Sequence, residues 1–206
     1  MPGSARRRPL ATGGCGPVAE RLLLVRSAAT AATRRAAFAA DEPLDAAGGR
    51  AAARLAAALG RIDTALAGPA LRARQTAAAT GLDARADRDL EALRAGSWSG
   101  LDLAEVGARD PLALRAWLED PDARPPGGES RTELSTRVAR FLERAHALPG
   151  GVVAVTHASV VRAAVVLALG APPQAFWRVD AAPASITELR PRESGWLLAR
   201  SNWVPA

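Results

Sequence analysis

The sequence contains no tyrosine and no lysine, and it has one cysteine, one methionine and two histidines in 206 residues. Each scarcity removes a class of function. Cys15 alone cannot form an intrachain disulfide, and two histidines with one cysteine cannot build a zinc site unaided. No disulfide scaffold, metal centre or cofactor is therefore expected, and a reducing, cytoplasmic setting is. Aromatic residues make up 4% of the chain, too few to interleave with basic residues along single-stranded nucleic acid. No apolar run reaches the ~18 residues of a membrane span. Arg6, Arg7 and Arg8 have no hydrophobic segment behind them to make a signal peptide. Neither nucleic acid nor membrane is an expected partner.

What is present describes an ordinary globule, with 49% hydrophobic and 23% charged residues. The 27 basic residues, all arginine, exceed the 21 acidic ones to give a net charge of +6. With so much alanine beside them, they point to a GC-rich coding sequence more than to an anionic macromolecular partner. The length fits one domain. Residues 1–19 are rich in Pro, Gly, Ala and Arg without periodicity and read as a disordered basic tail, which leaves 20–206 as a single domain.

Leu22 to Val25, Ile62 to Ala67 and Val152 to Thr156 are short apolar runs of the kind buried on both faces of a parallel sheet. A polar turn is expected after the first. Helical spacing runs from Asp45 to Leu59, Leu71 to Thr80, Ser130 to Leu148 and Val160 to Leu169. Shorter helices around Ala104–Val106 and Leu112–Leu118 read as an insertion over the sheet edge. Alternating segments at Ser185–Leu189 and Trp196–Ser201 close the chain. The expected fold is a three-layer α/β/α sandwich with a mainly parallel central sheet.

In such sheets, ligands bind beyond the carboxyl ends of the strands. The first run ends in Arg26-Ser27 and the third in Thr156-His157, and Arg72 follows the second. Two guanidiniums and a histidine suit an anion, because the forked donors of Arg match carboxylate or phosphate oxygens. The plainer reading is that arginines here are solvated, and that a strand-end histidine is merely structural. His146, beside Arg144 on a helix, reads as a surface residue.

Several segments together resemble the histidine phosphatase (phosphoglycerate mutase-like) superfamily. They are Leu24-Val25-Arg26-Ser27-Ala28-Ala29-Thr30, Pro69 through Leu71-Arg72-Ala73-Arg74-Gln75-Thr76-Ala77, Gly96-Ser97-Trp98-Ser99-Gly100, Pro126-Gly127-Gly128-Glu129-Ser130 and Val155-Thr156-His157. They stand in the family's order from about Arg21 to Trp203, and within the family the chain is most similar to small bacterial phosphatases, including those of cobalamin metabolism. The resemblance implies that Arg26, Arg72 and His157 bind phosphoryl oxygens. It also implies a nucleophilic histidine where this chain has Ser27. The family's leaving-group acid falls at Ala92, with Glu91 one residue out of register as its stand-in.

Three functions follow from this altered set. The favoured one is a degenerate member repurposed for acid/base chemistry on a small anionic or enolisable metabolite. That would be a dehydratase, lyase or addition-cyclisation enzyme, with His157 moving the proton and Arg26 and Arg72 stabilising charge, in keeping with bacterial secondary metabolism. The first alternative is a phosphomonoesterase with Ser27 as nucleophile, His157 as its base and Glu91 as acid. The second is a non-catalytic binder of phosphorylated ligands. Thr30, Thr33, Trp98, Glu129 and Ser130 are further candidates for substrate contact, although helix capping accounts for Glu129 and Ser130, and loop anchoring for Trp98. A homodimer is one assembly compatible with the sequence.

Overall fold

In the computed structural model, which describes residues 19–205, the first half of the chain runs β1 (Ala19–Arg26), α1 (Ala31–Arg34), α2 (Ala46–Arg54), α3 (Ala56–Leu59), β2 (Thr64–Ala67), α4 (Leu71–Ala79) and β3 (Arg85–Ala86). The second half continues with α5 (Leu103–Arg109), α6 (Pro111–Glu119), α7 (Arg131–His146), β4 (Gly150–Thr156), α8 (Ala158–Ala168), β5 (Ile186–Arg192) and β6 (Gly195–Trp203). The tail read at 1–19 lies outside the described residues, apart from Ala19, which opens β1.

The six strands lie in the order β3-β2-β4-β1-β5-β6. The first four run parallel, while β5 and β6 are antiparallel to their neighbours. Successive side chains of a strand point to opposite faces, and β1 feeds two cores. Leu22 and Leu24 pack with Leu134, Val138 and Phe141 of α7 and with α8. Leu23 and Val25 pack with Ala52, Leu55, Leu59 and Ala73 beneath α2, α3 and α4. Helices on both faces leave no polar face to the central strands, which is why these read as continuous apolar runs. The three-layer α/β/α sandwich with a mainly parallel sheet is the fold of this chain.

Three local features differ from the sequence reading. The helix expected over Asp45–Leu59 is interrupted at Leu55, which joins α2 to α3. Where a polar turn was expected, Thr30 caps the single-turn α1, and its hydroxyl accepts from the Thr33 N–H in a reciprocal capping box. The third concerns the segment with α5 and α6, expected over the sheet edge. Its residues Leu103 and Trp117 line the same cavity as Arg26 and His157, so it roofs the carboxyl ends of β1 and β4. A small aromatic core of its own holds it there, formed by Trp98, Val106 and Trp117.

Candidate active site

The cavity at the carboxyl ends of β1 and β4 has a volume of about 450 Å³, within the range of small-molecule sites. Arg26, Ser27, Arg72 and His157, read separately from four places in the sequence, all line it. Parallel pairing brings two of them together. Arg26 is in register with Thr156, and the Ser27 N–H donates to the Thr156 carbonyl at 2.7 Å. Arg72 arrives from the first turn of α4, whose start is tied to the loop after α1 by the Leu71 N–H donating to Asp41 Oδ1 at 2.6 Å.

His157 is held in one chemical state. Arg72 Nε donates to His157 Nδ1 at 3.2 Å. A guanidinium can only donate, so Nδ1 must accept and the ring proton sits on Nε2. Nε2 is buried and has no hydrogen-bond partner among the described residues. Burial, reinforced by the positive charges of Arg72, Arg137 and Arg26, holds the imidazole pKa well below its ordinary value. His157 is thus a neutral hydrogen-bond donor at pH 7. Gly68 permits this placement, because a Cβ there would lie 2.6 Å from the Leu90 carbonyl oxygen and 3.3 Å from His157 Nε2. The base role expected for His157 finds no geometric support: its accepting nitrogen is taken by Arg72, and no hydrogen bond joins it to the Ser27 hydroxyl among the described residues.

The arginines experience each other and their own desolvation. Arg26 donates through Nη1 to the Ala181 carbonyl. Its pKa falls to about 10 because of burial and of Arg162 nearby, partly offset by Asp180. Arg72 is buried, and its desolvation lowers its pKa too. Arg162, which the sequence reading missed, lines the cavity from α8 and is lowered by burial. Its signal was position: Ala158, Ser159 and Arg162 share one helical face by their three- and four-residue spacing, and all line the cavity. Arg94 is the fourth arginine there, and no Asp or Glu lines this cavity among the described residues. A site of four guanidiniums without a carboxylate attracts anions.

The remaining candidates fall elsewhere, apart from Thr33, which does line the cavity. Glu91 faces a neighbouring recess shared with Asp41 and lies 3.9 Å from Arg94, while Ala92 lines the cavity itself. That recess shares Arg72, Ala92 and Arg94 with the cavity, so Glu91 stands beside the arginines of the site and not among the residues lining the cavity itself. Thr30 is fully buried as the cap of α1, and Ser130 caps α7 in a box with Glu133. Trp98 packs in the aromatic core under the roof. Glu129, 1% exposed, takes a two-pronged pair from Arg137 at 2.7 and 2.9 Å and accepts from the Arg94 N–H. These residues shape the site from behind it. Among the described residues, no group of three or more His, Cys, Asp or Glu is placed to hold a metal ion, and no helix is long and apolar enough to cross a membrane.

Comparison with known proteins gives this geometry a context. The model of the histidine phosphatase superfamily (branch 1) matches residues 22–204. A bifunctional protein of Mycobacterium tuberculosis is 37% identical over 146 residues, which is 67% of this chain and 40% of that protein. The chain therefore spans less than half the length of that curated relative. The solved structure of a mycobacterial glucosyl-3-phosphoglycerate phosphatase with VO3 is 28% identical with a TM-score of 0.76, over 89% of this chain and 98% of the other. The α-ribazole phosphatase of Shigella flexneri has a TM-score of 0.78 at 23% identity, over 89% and 96% of the two chains, and shares the fold. The activities named among these relatives are phosphatase activities, and they overturn the favoured expectation of a dehydratase, lyase or cyclase. The changes at Ser27 and Ala92 leave Arg26, Arg72 and His157 together on one cavity. With its motifs, its sheet order and its cradle in agreement, the chain belongs to the histidine phosphatase superfamily, branch 1.

Proposed function

We propose that this chain hydrolyses phosphomonoesters, with Ser27 as the attacking group. The observation that carries the reading is the convergence of Arg26, Arg72 and the neutral His157 on the cavity that Ser27 lines, with no Asp or Glu among the described residues lining it to repel a phosphate. Arg72 spends one N–H on His157 and one on the Ala40 carbonyl, which leaves donors for two non-bridging oxygens. The phosphatase relatives support the same chemistry.

In this mechanism the Ser27 oxygen forms a bond to phosphorus as the bond to the ester oxygen breaks. The serine proton passes to a non-bridging oxygen of the substrate, since His157 has no free lone pair to take it. The departing alkoxide draws its proton from water, because no carboxylic acid among the described residues lines the cavity. A water then attacks the phosphoserine and releases inorganic phosphate, returning a proton to the serine oxygen. Arg26, Arg72 and His157 stabilise the charge on the transferring group throughout. Without an aligned acid, turnover forgoes a factor of roughly 10²–10⁴, so esters of acidic alcohols should be cleaved fastest.

The test is phosphate release from a panel of monoesters by the parent chain, Ser27→Ala and Ser27→His, with acid quench and mass spectrometry for phosphoserine. The parent is expected to turn over and to trap phosphate on Ser27, while Ser27→Ala loses at least ~10² in rate. Phosphate release from neither the parent nor Ser27→His would sink the reading and leave a binder of phosphorylated ligands.

A further inference from the structure

Resting on that phosphoryl site, we propose that the substrate's alcohol carries a flat apolar ring, so that the enzyme takes arylalkyl phosphomonoesters in preference to hydroxyl-rich ones such as sugar phosphates. The chain has only eight aromatic side chains, five Trp and three Phe. Four of them, Phe38, Trp117, Phe176 and Trp177, line this one cavity. They come from segments far apart in sequence and still form one continuous wall. Ring centroids are 5.4 Å apart from Phe38 to Trp117, 5.0 Å from Trp117 to Trp177 and 4.9 Å from Trp177 to Phe176. Such separations with tilted or edge-on planes are those of favourable aromatic pairs. The wall is stiffened from two sides, since Arg131 and Arg162 both lie against the Phe176 and Trp177 rings at 5.3 to 5.9 Å.

The polar inventory of the cavity points the same way. Beyond the phosphoryl cradle, the neutral hydroxyls lining it are those of Thr33 and Ser159. Both are engaged. Ser159 Oγ accepts from the Leu93 N–H at 3.0 Å, and Thr33 Oγ1 is 3.0 Å from Thr30 Oγ1. A sugar entering this space would bury several hydroxyls against rings, Leu93 and Pro125, with the guanidiniums of Arg94 and Arg162 as donors but no carboxylate among the described lining residues to accept from them, and hydroxyls left unpaired cost affinity. A flat ring would bury apolar surface and meet ring edges and the Arg162 guanidinium, which favours it.

The test compares two esters of primary alcohols, so that the bond broken is matched: phenethyl phosphate and glucose 6-phosphate. Non-hydrolysable phenethylphosphonate and methylphosphonate are titrated calorimetrically alongside. For the parent, kcat/KM is expected to favour the phenethyl ester by about tenfold or more, with phenethylphosphonate bound tighter than methylphosphonate by a similar factor. Phe38→Leu and Trp177→Leu should each shrink these ratios several-fold, and the parent's own ratios stand whether or not a variant folds. Equal or reversed preference, with turnover intact, would overturn the inference and leave the hydrolase. Tighter binding of phenethylphosphonate without turnover of either ester would uphold the ring site and sink the hydrolase.

Discussion

At the residue scale, the cradle depends on a histidine kept neutral by its surroundings. The sign of the resulting pH effect follows from that. In the unfolded chain His157 takes up a proton as the pH falls through about 6.5, whereas in the folded chain it does so only at much lower pH. The unfolded state then binds more protons, so its contribution to stability is present above about pH 6.5 and is lost as the pH drops below it. Denaturant titrations of the parent and His157→Gln at about pH 7.5 and 5.5 should show the steeper decline in the parent; parallel declines would mean that His157 is protonated in the fold. Arg26, Ser27, Arg72 and His157 were legible in the sequence because each stands at the end of an apolar run or just after one. The neutral state of His157 was not, because it comes from Arg72 and the packing around Gly68. Arg162 was also hidden, as a single charge within an apolar helix reads as a solvated residue.

At the scale of elements, the segment between the 3-10 turn at Arg88–Leu90 and α5 is held by one buried ion pair. Arg137 of α7 donates to the Asp89 and Ala92 carbonyls while pairing with Glu129, and Glu129 in turn accepts from the Arg94 N–H. Ala92 and Leu93 line the cavity, so this clamp sets one of its walls. Glu129→Gln removes a charge that Arg137 needs and is expected to cost about 3–5 kcal/mol, measured by denaturant unfolding, with a raised KM in whatever remains folded. An unchanged midpoint would show that Arg137 is solvated after all. Helices α4 and α7 were readable from periodicity, since each buries one continuous stripe, whereas α8 is buried on most sides and reads as an apolar run. The roof was misplaced for a physical reason: its aromatic core joins Trp98, Val106 and Trp117, and short helices carry too few turns to show which surface they cover.

At the scale of the molecule, the sheet and its layers were legible because two-faced burial leaves an unmistakable apolar run in β1 and β4. The chemistry was not legible in the sequence, because Ser27 and Ala92 alter two positions of the family's pattern and only the fold shows that Arg26, Arg72 and His157 still share one cavity. Among the described residues, four arginines and no Asp or Glu line one cavity. Inorganic phosphate should therefore bind the folded chain. At about 100 times its Kd it is expected to stabilise the fold by ~2.7 kcal/mol, visible as a rise in Tm that shrinks with added salt and is lost in Arg26→Ala. A Tm indifferent to phosphate would remove the cradle from the account.

The outer strands of the sheet bear on how copies of this chain behave beside one another. On one side the sheet ends in β3, which offers two residues of ladder. On the other it ends in β6, nine residues long, and a long open edge is a template for another strand. That edge is not straight. The pairing of β5 with β6 slips twice near Glu188, and Asn202 has a φ of 50°. Asn202 is turned aside to accept from the Ala182 N–H and to donate to Asp180, in the loop that receives Arg26. The kink that serves the cradle also spoils the edge as a stacking surface, so fibril-like growth has two residues to work with on one side and a bent ladder on the other.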